Sequence, residues 1–195
     1  GTVGQWKPAA GEKNAHRPGI EKGTYYKREV AAYSVMKAIG YDDLMPPVVE
    51  RNLDTGPGEA RGPGALKKWV DGEARAGEML MDSEKWDGDK DLARAAVYDV
   101  LIGNTDRHGN NWMIMGDGKI SLLDHGLAFP KVSGEANYPG YRSWLTEKAA
   151  EKNLKIPEDV AKWNGKKIKE ALEKNGIEPR AISNTIARLS NIQES

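Results

Sequence analysis

Ile102-Gly103-Asn104-Thr105-Asp106-Arg107-His108-Gly109-Asn110-Asn111-Trp112, followed by Met113 to Leu122 and then Leu123-Asp124-His125-Gly126, is the stretch on which the reading of this chain turns. Trp112 to Met115, Gly116-Asp117-Gly118 and Lys119 to Leu123 read as strand, tight turn and strand, a β-hairpin. Centred on Asp117, that hairpin sets Asn110 opposite Asp124 and Asn111 opposite Leu123, with cross-strand Cβ atoms about 4.5–5.5 Å apart. Asn111 and Asp124 thus meet at its open end. A carbonyl oxygen and a carboxylate there suit a hard cation such as magnesium, which takes one or two protein ligands and completes its shell with water and phosphate oxygens. Asp106 stands five positions before Asn111, in the loop that feeds the hairpin.

Working upstream, Asp91 to Leu101 places Leu92, Ala95, Ala96, Val100 and Leu101 on one helical face, and Gly103-Asn104 ends the helix. Lys27 to Ile39 has a second helical pattern (Val30, Ala31, Ser34, Val35, Ala38, Ile39), closed by Gly40, and predicts a narrow buried face of small residues. Before it, residues 1–8 supply one strand stopped by Pro8, and residues 9–23 read as loop. Pro46 to Glu50 and Ala65 to Val70 are short strand candidates, separated by Gly56-Pro57-Gly58 and Gly62-Pro63-Gly64, which read as turns. Downstream, residues 130–141 are loop-like. The remainder is helical, with Pro157 and Pro179 at first-turn positions and Asn175-Gly176 between them. The expected class is α+β, with a small mixed part over residues 1–70 and a helix-rich part over residues 71–195.

The 195 residues carry 29 Lys plus Arg and 29 Asp plus Glu, so no nucleic-acid partner or acidic membrane is expected from overall charge. The absence of cysteine excludes disulfides, thiolate zinc sites and a cysteine nucleophile, and favours a cytoplasmic setting. No apolar run reaches about 18 residues, so no membrane span is expected.

The spacing Asp106-x-x-x-x-Asn111 equals that of the protein-kinase catalytic loop, and Leu123-Asp124-His125-Gly126 stands where a kinase carries its Asp-Phe-Gly metal ligand. Together these strings resemble those of the phosphatidylinositol 3-/4-kinase-like superfamily, with type II phosphatidylinositol 4-kinases, actin-fragmin kinase and HipA-type kinases as relatives to compare. Trp6-Lys7-Pro8 looks like that family's ATP-lysine strand, Arg28-Glu29-Val30-Ala31-Ala32-Tyr33 like the helix bearing its glutamate partner, and Gly64 to Val70 like the strand entering the adenine hinge. The resemblance covers roughly residues 5–130. It implies a protein-kinase-like two-lobed fold with a reduced N-terminal lobe and a helix-rich C-terminal lobe. It also implies that Lys7 holds the α/β-phosphates and pairs with Glu29, that Asp106 is the catalytic aspartate, that Asn111 and Asp124 bind magnesium or manganese, and that backbone near Trp69 and Val70 meets adenine. The family's glycine-rich hairpin lies upstream of the lysine and has no full counterpart in residues 1–6, where Gly1 and Gly4 are at best its tail; the chain reads as part of a longer protein.

Other residues have plainer readings. Asp99 is expected at the surface or as a cap, His108 and His125 as hydrogen-bonded scaffolding, and most tryptophans as core. Arg107 is open between a phosphate or substrate contact and packing of the loop. The expected activity is phosphoryl transfer from ATP to an alcohol, with a protein acceptor preferred to a lipid because no basic amphipathic stretch suggests a membrane surface. A pseudokinase or nucleotide-binding interaction module, and nucleotidyl (AMP) transfer in the same cleft, are the alternatives.

Overall fold

A computed structural model describes residues 3–13, 17–54, 61–71, 81–83, 85–104, 106–132 and 142–195. Strands β1 (Gly4–Pro8), β2 (Val48–Leu53) and β3 (Gly62–Lys68) form an antiparallel sheet in the order β1-β3-β2. Lys7 faces Ala65 and Gln5 faces Lys67 across β1 and β3. Because side chains alternate along a strand, Lys7, Ala65 and Lys67 share one face of the sheet.

Gly62-Pro63-Gly64 belongs to β3 and not to a turn, which corrects the sequence reading. The physical reason is local. β1 ends at Pro8 opposite Gly64, so Pro63 has a partner strand on one side only, a position that tolerates its missing N–H. A Cβ on Gly64 would lie 2.5 Å from the Lys7 carbonyl oxygen and 2.7 Å from the Trp6 ring, so glycine is what lets the strand bearing Lys7 come so close. At its other end β3 stops at Lys68, leaving Trp69 and Val70 beyond the strand expected to contain them.

Helix α1 (Tyr25–Ile39) ends at Gly40 in the left-handed conformation, φ 78°, as its sequence predicts. Its buried face is wider than expected. Tyr26, Arg28, Glu29 and Met36 join the small residues, because the helix is covered both by β2 and β3 and by α4 (Gly165–Lys174). Helix α2 (Asp89–Ile102) closes at Gly103, φ 63°, and buries Leu92, Ala95, Ala96, Leu101 and Ile102, whereas Val100 is left partly exposed.

The two-residue strand β4 (Asp106–Arg107) pairs in parallel with β7 (Arg142–Ser143), a link absent from the sequence reading. Between them, β5 (Trp112–Ile114) and β6 (Ile120–Leu122) form the expected hairpin, with Trp112 opposite Leu122 and Ile114 opposite Ile120, a register centred on Asp117. Helices α3 (Trp144–Glu151), α4 (Gly165–Lys174) and α5 (Pro179–Glu194) follow. Pro179 opens α5 as expected, but Pro157 precedes a 3-10 turn, Glu158–Lys162. The expected turn at Gly56-Pro57-Gly58 and residues 133–141 of the expected loop lie outside the described residues.

The core runs from α1 through α2 and the hairpin into the C-terminal helices. Trp112 stacks on Trp144 with ring centroids 5.1 Å apart, and the Tyr98 hydroxyl donates to the Ala32 carbonyl at 2.8 Å, joining α2 to α1. Helix α4 does carry a basic amphipathic pattern (Lys166, Lys167 and Lys169 around Ile168 and Leu172) that the sequence reading passed over. Its apolar stripe is wholly buried and so is not free to enter a membrane surface. Among the described residues no helix is long and apolar enough to cross a membrane.

Candidate active site

Lys7 leaves β1 on the sheet face turned toward α1, and its Nζ lies 2.8 Å from Glu29 Oε1 and 3.3 Å from Asp124 Oδ1. One ammonium therefore joins the sheet, α1 and the segment after the hairpin. Burial alone would lower the Lys7 pKa, but the charges of Glu29 and Asp124 outweigh it and raise it well above the ordinary lysine value. Glu29 is almost fully buried and also accepts the His125 backbone N–H at 2.9 Å. Its burial favours the protonated form; Lys7 first, and then His125, outweigh that and hold the carboxyl well below the usual range. Both shifts keep this pair ionised.

Asp106 lies half-buried in β4. Burial raises its carboxyl pKa above the ordinary aspartate value; His108 opposes the rise and the nearby charge of Asp124 adds to it. Asn111 Nδ2 donates to the Asp106 carbonyl at 2.6 Å and lies 3.1 Å from His108 Nε2. That commits the amide nitrogen to the loop and turns Oδ1 the other way. The Leu123 N–H donates to the Asn111 carbonyl at 2.8 Å, so the ladder ends one residue before Asp124. Asp124 itself adopts a positive φ of 53°, which few residues other than glycine adopt, and its side chain is 55% exposed. Among the described residues no three His, Cys, Asp or Glu side chains form a metal-holding group.

Lys7 thus contacts both Glu29 and Asp124, and Asp106, joined to Asn111, lies close enough to Asp124 to feel its charge. Trp69 and Val70 are not part of that cluster. The Trp69 N–H is bonded to the Val3 carbonyl at 2.9 Å, and its half-exposed indole donates to Asp71 Oδ1 at 2.9 Å.

The brace beneath the site is what sequence reasoning missed. Asp99 is buried, not at the surface: Arg107 grips it through Nε at 3.0 Å and Nη2 at 2.9 Å, and the Ser143 hydroxyl donates to it at 2.8 Å. Arg107 is buried as well, and its Nη1 donates to the Asn111 and Leu123 carbonyls, one on each side of the hairpin's open end. It packs the loop, and a phosphate contact is excluded by these bonds and by its complete burial. A signal existed. A carboxylate in the last turn of a helix opposes the helix dipole, and so calls for a cation to hold it. Two further arginines act on the segment after Asp124: Arg28 donates to the Ala128 and Phe129 carbonyls and pairs with Glu178, and Arg17 donates to the Gly103 and Leu127 carbonyls. His125 is fully buried; among the described residues neither ring nitrogen has a hydrogen-bond partner, and Nδ1 lies 3.6 Å from Glu29 Oε2. Burial, then the charge of Arg107, lowers its pKa, so the ring is neutral.

Residues 89–148 match the family model described as phosphatidylinositol 3- and 4-kinase. That span contains Asp106, Asn111 and Asp124 and makes this part of the chain similar to a kinase; Lys7 and Glu29 lie outside it. The chain is also 30% identical over 154 residues to Protein Rv2133c of Mycobacterium tuberculosis, a match covering 63% of this chain and 52% of that protein. The chain spans about half the length of this curated relative.

Proposed function

We propose that this chain is an ATP-dependent phosphotransferase with a two-lobed, protein-kinase-like arrangement, acting on an alcohol group. The observation that carries the reading is the Lys7 ammonium held between Glu29 and Asp124, beside a loop whose Asp106 and Asn111 keep kinase spacing. The match over residues 89–148 supports it from the other side of the cleft.

In this reading Lys7, fixed by Glu29, meets the α/β-phosphates. A base lying along Trp69 and Val70 would use the Val70 N–H and neighbouring carbonyls, since the Trp69 N–H is already engaged. Asn111 Oδ1 and the exposed Asp124 carboxylate fit a hard divalent cation, magnesium or manganese. When bound, it neutralises charge on the phosphate oxygens. Asp106 orients the acceptor hydroxyl and takes its proton as the oxygen–phosphorus bond forms and the bond to the ADP oxygen breaks. Its raised pKa, caused first by burial, makes it a better base than an ordinary aspartate. Arg107 keeps the two sides of the hairpin's open end at fixed separation through their carbonyls. A protein acceptor is preferred to a lipid because the apolar stripe of α4 lies in the core.

Mass spectrometry of the chain after incubation with ATP and magnesium, and of a mixed protein acceptor such as casein, tests the reading. Phosphate on either protein is expected. An AMP adduct would instead assign nucleotidyl transfer, and no adduct together with no nucleotide-induced thermal shift would leave an interaction module.

A further inference from the structure

Lys67 is more than nine-tenths buried in β3, on the same sheet face as Lys7 and one diagonal step from it. Among the described residues no carbonyl, carboxylate or hydroxyl is hydrogen-bonded to its ammonium. Burial is the largest influence and lowers its pKa; Glu29 and Asp124 favour the charged form, and the neighbouring Lys7 opposes it. Glu29 attracts the Lys67 ammonium through space but does not hydrogen-bond it: Oε1 takes Lys7 and the His125 N–H, and Oε2 has no hydrogen-bond partner among the described residues. A lone buried ammonium is costly, and leucine or methionine would fill this position in a strand without that cost. The site therefore holds an inward-facing cation that no anion hydrogen-bonds among the described residues. Lys7 and Lys67 stand there beside the carboxylates of Glu29 and Asp124, with Asp106 close to Asp124. A polyphosphate bearing about four negative charges is repelled by those carboxylates, and removing Lys67 would worsen the repulsion.

We propose that Lys67 is a second phosphate-binding cation, which with Lys7 grips the polyphosphate of the nucleotide. This rests on the nucleotide-site reading above and names a group that reading does not use. The sheet register supplies the geometry: Lys7 and Lys67 stand on adjacent strands and on the same face, which points both ammonium groups to one side of the sheet. The position beside Lys7 and Asp124 favours the phosphates over the base.

Calorimetric titration of the wild-type chain, Lys67→Met and Lys67→Arg with adenosine, AMP, ADP, ATP and GTP in magnesium, and with inorganic tripolyphosphate, tests this. Lys67→Met is expected to leave adenosine binding unchanged and to lose affinity progressively with phosphate number, by about tenfold or more for ATP and for tripolyphosphate, the scale of one charge-assisted hydrogen bond. Lys67→Arg should keep most of the affinity. Without ligand, Lys67→Met should melt at or above the wild-type temperature, because it removes a buried unpaired charge. Unchanged ATP and tripolyphosphate affinity in Lys67→Met would overturn the proposal while leaving the kinase reading intact. A loss equal for adenosine and ATP, or a changed ATP-to-GTP ratio with a flat phosphate series, would also overturn it. Tripolyphosphate binding that depends on Lys67, in a chain that binds no nucleotide, would uphold the phosphate site and defeat the kinase reading.

Discussion

Replacing Asp99 by alanine removes the acceptor of four side-chain hydrogen bonds, two from Arg107 and one each from Ser143 and Asn104, and leaves the Arg107 guanidinium charged in a fully buried site. Removing one partner of such a pair costs about 3–5 kcal/mol, far more than an exposed pair, because the surviving charge stays desolvated. For a domain of this size each kcal/mol moves the melting temperature by about 2–4 °C, so the expected loss is about 6–20 °C. The same variant loosens Arg107 from the Asn111 and Leu123 carbonyls, so nucleotide-dependent stabilisation should shrink in any molecules that still fold. Thermal denaturation followed by circular dichroism, with and without ATP and magnesium, reads both effects. Joint replacement, Asp99→Leu with Arg107→Met, should recover most of the melting temperature but not the ligand response. A drop of less than about 2 °C in Asp99→Ala, the behaviour of a surface pair, would show that the brace is not what holds this loop.

Gly64→Ala should destabilise the fold by about 1–3 kcal/mol and weaken ATP binding together, since its methyl group would push β1 and Lys7 away from β3; denaturant titration and calorimetry check the two effects. Acid should weaken the fold in two stages. His125 is held below its ordinary pKa of about 6.5, so the unfolded chain takes that proton first and stability falls as pH drops below about 6.5; Glu29 is held below the carboxylate range, so its contribution is complete above about pH 4.3 and is lost as pH falls further. His125→Phe, which removes the titrating imidazole together with its approach to Glu29, should remove the upper stage. Melting curves from pH 7.5 to 4 show whether the stage between pH 6.5 and 5 survives in that variant.

How much of this was readable in the chain varied with how local the information is. The hairpin register could be read because Gly116-Asp117-Gly118 fixes its centre, and the ends of α1 and α2 because Gly40 and Gly103 take conformations that other residues resist. The Lys7 to Glu29 contact, 22 residues apart, came from the resemblance and not from periodicity, and the structure brings the two together. What escaped was set by tertiary surroundings. Gly62-Pro63-Gly64 has turn chemistry yet extends because β1 ends beside it, and Asp99 looks like a surface residue until Arg107 folds back over it. Lys67 gave no signal, since one of two adjacent lysines is read as solvated until the sheet shows which of them faces inward.

The proposed function gives the two carboxylates, Asp106 and Asp124, different jobs, so they should fail differently. In the proposed reading Asp124 serves the cation and Asp106 the acceptor hydroxyl. Calorimetry of magnesium and ATP with Asp106→Asn and Asp124→Asn, alongside transfer of labelled γ-phosphate to the acceptor, separates them. Asp124→Asn is expected to lose both nucleotide affinity and transfer, whereas Asp106→Asn should bind ATP nearly as the wild type does while transfer falls about 10²-fold or more. Unchanged transfer in Asp106→Asn, or a loss of ATP affinity as large as that of Asp124→Asn, would contradict the assignment of the catalytic aspartate.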